Sequence, residues 1–317
     1  MTPDRCFICC QSLEPDRRLY HRRCAQAFFG RREPPELPYG WEELNQLAEQ
    51  AIRSRISVPG VQPKLSLHLD RSESERGRFT LVGLWGDFVL KPPHEDYPGM
   101  PELEHAVMGM ARSCSITTVP FALMPLKSGE MAYLSRRVDR DAEGKLHMED
   151  MAQLTGKMTE QKYRGSMEQV GRAVWRHSAT PLLDAVRLFE LTVFCFLTAN
   201  SDMHLKNFSL LYGRDGRIRL APAYDLLATQ ILVPSDREES ALSICGRRTN
   251  LSERDFRTFA EYLKLTPKQY ENSCDRLRDS LPAMEANLAR SFAADRHKEE
   301  LSRLMTDRAE RAWDRRS

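Results

Sequence analysis

Asn200-Ser201-Asp202-Met203-His204-Leu205-Lys206-Asn207 is the stretch on which the reading of the fold depends. An apolar run of helical length, Leu182–Ala199, precedes it, and a strand pair, Asn207–Tyr212 and Arg217–Ala221, follows it. The eight residues therefore form an exposed loop held between buried elements. An Asp and an Asn five positions apart, Asp202 and Asn207, give the spacing Asp-x-x-x-x-Asn. In phosphoryl transfer that spacing pairs a carboxylate that accepts the proton of an attacking hydroxyl with an amide oxygen that ligates a metal. Asp225, in Ala223-Tyr224-Asp225-Leu226, lies 18 residues after Asn207 and beyond the strand pair. A carboxylate there is suited to hold Mg²⁺ against phosphate charge. Either acid alone reads as a helix cap or turn former; the joint spacing favours chemistry.

Upstream, the pattern before the loop is strand-rich. Trp41–Arg53 has helical spacing of apolar residues, and Leu65, Leu67 and Leu69 then alternate with polar ones. A charged turn, Ser72–Gly77, and a Gly-Leu-Trp-Gly turn separate strands that end in Phe88-Val89-Leu90-Lys91. A helix over Pro101–Arg112 and strands near Val119–Pro125 and Met131–Val138 follow. Beyond about residue 148 the chain reads as mostly helical, with helices near Ser166–His177 and Leu182–Ala199 and a charged helical tail from Ser252. Lys91 closes its strand as the lysine closes a kinase Val-Ala-Ile-Lys strand, and Pro92 keeps its backbone extended. It is the candidate to neutralise α- and β-phosphates. Glu102 and Glu104 on the next helix are its candidate partners, Glu104 preferred. A phosphate-covering loop falls at Ser57-Val58-Pro59-Gly60-Val61-Gln62-Pro63-Lys64. Only Gly60 there is free in backbone angle, and the two prolines lack N–H donors, so the loop is a poor G-x-G-x-x-G.

The bulk properties fit such an enzyme. The chain has 317 residues, 41% apolar and 29% charged, with 47 basic and 45 acidic side chains for a formal charge of +2. Near-cancelling signs give no drive toward nucleic acid or an anionic membrane. No run reaches the roughly 20 apolar residues of a bilayer span, and the first thirty residues lack a signal-peptide pattern. Four of the eight cysteines are scattered singly, as reduced core thiols are, which places the chain in the cytosol.

Six ordered motifs carry a family resemblance over roughly residues 40 to 265: Ser57–Lys64, Gly86–Pro92, Pro101–Ala106, Arg137-Val138-Asp139-Arg140, Asn200–Asn207 and Pro222–Asp225. Their order and spacing are similar to those of the HipA-like serine/threonine kinases of bacterial toxin–antitoxin systems. The resemblance implies an α+β, two-lobed protein-kinase-like fold, with a β-rich N-lobe and a mostly helical C-lobe. It implies ATP and Mg²⁺, with Asp202 as base, Asn207 and Asp225 as metal ligands and Lys91 on the phosphates. Ser57 would be a self-phosphorylated loop serine, and Gly60, Gln62 and Lys64 would line the nucleotide site. Arg136, Val138 and Asp139 would form the hinge that meets adenine and ribose, and His204 and Lys206 match catalytic-loop positions. Only about fifty-five residues precede the phosphate loop, so the chain looks like the short HipT-type kinases. Those work with separate HipS-type and HipB-type antitoxin proteins, the latter contacting DNA. The implied substrate is a translation factor such as an aminoacyl-tRNA synthetase. Pro59 replaces the second serine of the HipT-type loop.

At the N-terminus, Cys6-Phe7-Ile8-Cys9-Cys10 and His21-Arg22-Arg23-Cys24 form Cys-x-x-Cys and His-x-x-Cys pairs, the pattern of a tetrahedral Zn²⁺ site. Cys6, Cys9, His21 and Cys24 are the candidate ligands, Cys10 is an alternative to Cys9, and a cluster of free thiols is the competing reading. A thirty-residue module this poor in apolar residues would draw its stability from the metal. The expected organisation is a Cys/His module at 1–30, a Pro-rich linker at 31–40, an N-lobe at 41–138 and a helical C-lobe at 139–317. Two other functions compete with a protein kinase. One is an aminoglycoside-type phosphotransferase, for which Glu149-Asp150 and Glu160 would supply an acidic pocket. The other is an inactive kinase-fold adaptor, which would not need Lys91, Asp202, Asn207 and Asp225.

Overall fold

The computed structural model describes residues 4–14, 19–53, 64–70, 77–83 and 85–313. The proposed phosphate loop lies outside these residues apart from Lys64, so Ser57, Gly60 and Gln62 have no described position. The chain divides into two compact units. One comprises Met1–Gly109, Val119–Arg137 and Arg290–Ala294; the other comprises Met110–Thr118, Val138–Ala289 and Asp295–Ser317.

The first unit contains α1 (Arg22–Phe29), α2 (Trp41–Arg53), β1 (Leu65–Asp70), β2 (Arg78–Val82), β3 (Phe88–Lys91), α3 (Met100–Ser113) as far as Gly109, β4 (Phe121–Pro125) and β5 (Met131–Arg136). The five strands form one antiparallel sheet in the order β2-β1-β3-β5-β4. Alternation in β1 does what the sequence pattern requires: Leu65, Leu67 and Leu69 are buried and His68 is exposed. Gly86 admits β1 at close range. A Cβ there would lie 2.3 Å from the Leu67 carbonyl oxygen, while the Gly86 N–H donates to Ser66 Oγ at 2.9 Å.

Four phenylalanines make the core of this unit. Phe28 and Phe29 at the end of α1 meet Phe88 of β3 and Phe79 of β2 edge to face, at centroid distances of 5.7 and 6.2 Å respectively. Gly30 stops α1 in a left-handed conformation, φ 74°, its N–H returning to the Gln26 carbonyl. The segment expected to stand alone as a module is part of this core. The Leu123 N–H donates to the Phe7 carbonyl at 2.8 Å, and the Tyr20 hydroxyl donates to the Leu123 carbonyl at 2.7 Å. Phe7 also packs on Phe292, at 4.8 Å, from the short return of the chain at Arg290–Ala294. The Pro-rich connector runs beside β2, where Glu36 N–H donates to Gly77 and Phe79 N–H donates to Glu36.

The second unit begins with the hairpin β6 (Arg140–Asp141) and β7 (Gly144–Lys145) and with β8 (His147–Asp150). It continues through α4 (Met151–Leu154), α5 (Met167–His177), α6 (Pro181–Leu197), β9 (Ser209–Tyr212), β10 (Ile218–Leu220) and α7 (Thr229–Leu232). Helices α8 (Glu253–Tyr262), α9 (Pro267–Arg290) and α10 (Asp295–Trp313) complete it. Helix α6, with Pro181 in its first turn, is buried along almost its whole length from Ala185 to Leu197 and packs against α5, α8 and α10. The expected strand pair is present as β9 and β10, and β8 adds a third strand on the far side of β9. Among the described residues no helix is long and apolar enough to cross a membrane.

Candidate active site

In the first unit the candidate phosphate-binding residue is Lys91. Strand β3 ends there, opposite Tyr133 of β5, and the side chain is only 4% exposed. Its Nζ lies 2.6 Å from Glu104 Oε1 on α3 and 5.3 Å from the centre of the Tyr133 ring. Glu104 is itself buried, so two charges have left water together. Such a pair adds little to stability compared with apolar residues of the same volume, and its retention calls for another explanation. Of the two candidate partners the structure joins Glu104 to Lys91; burial pushes the Glu102 carboxyl above its usual range. Lys64 stands half-buried just before β1, and Arg136 ends β5 exposed.

In the second unit α6 delivers the catalytic-loop candidate. Ala199, at φ 56°, turns the chain out of the helix, and the Asn200 N–H returns to the Cys195 carbonyl. The loop, expected to be exposed, is largely buried, with only Asp202 and Lys206 partly accessible, and it folds on itself. Asn207 Nδ2 donates to the Asp202 carbonyl at 3.0 Å, and the Asp202 N–H donates to Asn200 Oδ1 at 3.2 Å. Ser201 Oγ donates to Asp236 Oδ2 at 2.6 Å. Lys206 Nζ pairs with Asp150 Oδ2 at 3.1 Å, and the Tyr224 hydroxyl donates to the Lys206 carbonyl at 2.9 Å. Asp225 follows in a left-handed conformation, φ 61°, which few residues other than Gly, Asn and Asp tolerate.

Asp202 and Asp225 share an electrostatic environment, since both bear on His204 and on Tyr163. Burial depresses the His204 pKa against the pull of these two carboxylates, so the ring is held neutral. Its Nδ1 finds no hydrogen-bond partner among the described residues. Val138 and Asp139 open the second unit; Asp139 is buried, 2.8 Å from Arg140 Nη1, and the Leu146 N–H donates to its carbonyl.

Two contributors escaped the sequence reading. The Tyr163 hydroxyl donates to Asp202 Oδ1 at 2.6 Å, and its ring meets His204 edge to face at 5.2 Å. Burial and the bond to Asp202 raise the Tyr163 pKa far above that of an ordinary phenol, so it stays a donor. Nothing in Gln161-Lys162-Tyr163-Arg164 signals this partnership across 39 positions. Asp150, read as material for an acidic pocket, instead holds Lys206 and caps α4 in a capping box with Gln153. Its neighbour Glu149 accepts the Tyr212 hydroxyl at 2.5 Å and pairs with His147. Glu149 and Asp150 are thus both engaged internally, while Glu160 is exposed.

The N-terminal cluster is assembled. One ligand atom from each of Cys6, Cys9, His21 and Cys24 lies within 4.8 Å of all the others. The choice between Cys9 and Cys10 is resolved by the backbone. Cys10, at φ 58°, turns away, and its thiol lies 3.8 Å from His105 Nδ1 on α3.

Solved structures share this fold. HipA of Shewanella oneidensis, in complex with HipB and operator DNA, superposes with a TM-score of 0.67 at 18% identity, covering 83% of this chain and 70% of that one. The Helicobacter pylori proinflammatory kinase CtkA gives 0.54 at 15% identity, over 74% and 91%. These likenesses define a protein of mixed α+β architecture with a HipA-type kinase fold. Among curated proteins, "Putative kinase Y4dM" of Sinorhizobium fredii is 35% identical over 189 residues, or 55% of this chain and 45% of its own length. A "Putative kinase" of Haemophilus influenzae is 30% identical over 209 residues, or 61% and 58%. The chain thus spans about half the length of the curated relatives it matches. The family profile of the HipA-like C-terminal domain matches residues 56–284, well over half of the chain, and the chain belongs to that family.

Proposed function

We propose that this protein is an ATP- and Mg²⁺-dependent protein serine/threonine kinase and the toxin of a HipA/HipT-type toxin–antitoxin system. The observation that carries the reading is the buried Lys91–Glu104 pair at 2.6 Å. A strand-terminal lysine paired with a helix glutamate is the arrangement that positions ATP phosphates in protein kinases. The oxygen donors of Asn207 and Asp225 are of the hard kind that Mg²⁺ takes, and Asp225, held in an unusual backbone conformation, bears on His204 as Asp202 does. When bound there, Mg²⁺ would neutralise charge on the transferring phosphoryl group.

The residues divide the remaining work. Asp202, oriented by Tyr163 and by the Asn207 clamp on its carbonyl, takes the proton of a substrate hydroxyl as that oxygen bonds to phosphorus. The bond to the bridging oxygen breaks and ADP leaves. Lys91 neutralises the phosphates it meets. Lys206, tethered by Asp150, and neutral His204 support the loop. Arg136, Val138 and Asp139 meet the adenosine, and Gly60, Gln62 and Lys64 cover the phosphates. The substrate is a translation factor of the aminoacyl-tRNA synthetase kind, with self-phosphorylation on Ser57. The partners are small HipS-type and HipB-type antitoxins, in line with the HipB and operator DNA that accompany the Shewanella HipA. DNA is reached only through the antitoxin, and the compartment is the cytoplasm. Zn²⁺ belongs to the N-terminal cluster.

Incubation of dephosphorylated protein with Mg-ATP, followed by intact mass and peptide mapping, tests the reading. One phosphate on Ser57 in wild type, and none in Asp202→Ala, is the expected result. A chain that gains no phosphate and shows no ATP binding by calorimetry would overturn it in favour of an inactive adaptor.

A further inference from the structure

We infer that Cys6, Cys9, His21 and Cys24 hold a single structural zinc ion that fixes the N-terminal segment onto the sheet of the first unit. A tetrahedral ion with Zn–S near 2.3 Å and Zn–N near 2.05 Å separates its nitrogen and sulfur ligands by about 3.6 Å. His21 Nδ1 lies 3.4 Å from Cys9 Sγ and 3.8 Å from Cys24 Sγ, bracketing that value. The four cysteine and histidine ligand atoms all lie within 4.8 Å of one another, and no disulfide competes for these thiols.

The surroundings are those of a metal site rather than of packed thiols. His21 Nε2 lies 2.9 Å from the Ser12 carbonyl, which assigns the ring proton to Nε2 and turns the Nδ1 lone pair toward the sulfurs. Cys6 and Cys9 sit on a tight turn in which the Cys6 N–H donates to the Gln11 carbonyl and the Cys10 N–H returns to Cys6. His21 immediately precedes α1 and Cys24 lies in its first turn, so one helix end presents two ligands on the same face. Four protein ligands leave no position open for water or substrate, which marks a structural site.

The ion's effect follows from what the ligands are attached to. Phe7, between the first two ligands, accepts the Leu123 N–H of β4; Tyr20, next to His21, donates to the Leu123 carbonyl. Phe28 and Phe29, on the helix that carries Cys24, fill the core against Phe79 and Phe88. The metal holds these three attachments in register.

The test uses the full-length chain and does not depend on kinase activity. Purified under reducing conditions without chelator, it should contain one equivalent of zinc by elemental mass spectrometry. Exchange for Co²⁺ should give the thiolate charge-transfer band and the visible d–d bands of a tetrahedral ion. Cys24→Ser should lose the band, His21→Cys should keep it with the shift of a fourth thiolate, and Cys10→Ser should leave it unchanged. A wild-type chain that takes up neither zinc nor cobalt after reconstitution overturns the inference. So does a cobalt spectrum abolished by Cys10→Ser but not by Cys24→Ser.

Discussion

Replacing Glu104 by Gln should cost the first unit about 3–5 kcal/mol of stability, because it removes the carboxylate that pairs with the buried Lys91 ammonium. The upper end has a physical limit. A lysine ordinarily titrates near 10.4, so the variant can escape by losing the Lys91 proton, which costs about 4.6 kcal/mol at pH 7. That limit carries a signature: if the proton is lost, the deficit shrinks by about 1.36 kcal/mol for each unit of pH between 7 and 10. Urea denaturation of wild type and Glu104→Gln across this range reads it directly. A Lys91→Met/Glu104→Leu double variant should be much less destabilised than Glu104→Gln, since neither charge is buried in it. Both variants should lack phosphotransfer. A pH-independent deficit under 1 kcal/mol, or a Glu104→Gln variant that keeps full activity, would refute the assignment of this pair.

Tyr163→Phe removes a hydrogen bond to a carboxylate, worth about 1.5–3 kcal/mol. It should lower kcat roughly 10- to 100-fold in steady-state assays with little change in KM for ATP; an unchanged or raised kcat would mean that Tyr163 does not position Asp202. Arg308 is a buried cation whose guanidinium, pushed down to about 10 by burial, donates to the Phe196 carbonyl at the end of α6 and to Gln230. Arg308→Ala should destabilise the second unit by about 3 kcal/mol in urea melts, and Arg308→Lys should rescue little, since one ammonium cannot span both acceptors. His204 and His297 have pKa values depressed by burial, so the unfolded chain binds more protons than the native one as pH falls below 6.5. Stability from both should be complete above that pH and decline below it, and His297→Gln should flatten the fall in Tm between pH 7.5 and 5.5.

Sequence patterns reached the elements whose burial follows a period. Helices α2, α3 and α5 and strands β1 and β3 came from spacing, because apolar positions recur at the period of each element, and α6 came from a continuous apolar run. Strand β8 did not, since His147-Met148-Glu149-Asp150 is polar and buries little; its pairing with β9 across some sixty residues holds it. The same limit applies to the site. Asp202 and Asn207 sit five apart on one loop, and the cysteine pairs lie on two short turns, so spacing exposed both. Tyr163 reaches Asp202 through tertiary folding alone. The sign of φ at Cys10, which decides between neighbouring thiols, depends on a turn closed by Gln11 rather than on residue type.

The bonds that Phe7 and Glu36 make to the sheet bear on how the protein would fail. Strands β4 and β2 are its two outermost members, and an open outermost strand is a template for pairing with another chain. Phe7 covers β4 at Leu123, and Glu36 covers β2 at Phe79. If the N-terminal cluster holds the inferred zinc, removal of that ion would loosen the cover that Phe7 gives β4. The damaged form would then be a folded molecule with a sticky margin, prone to self-association before it unfolds.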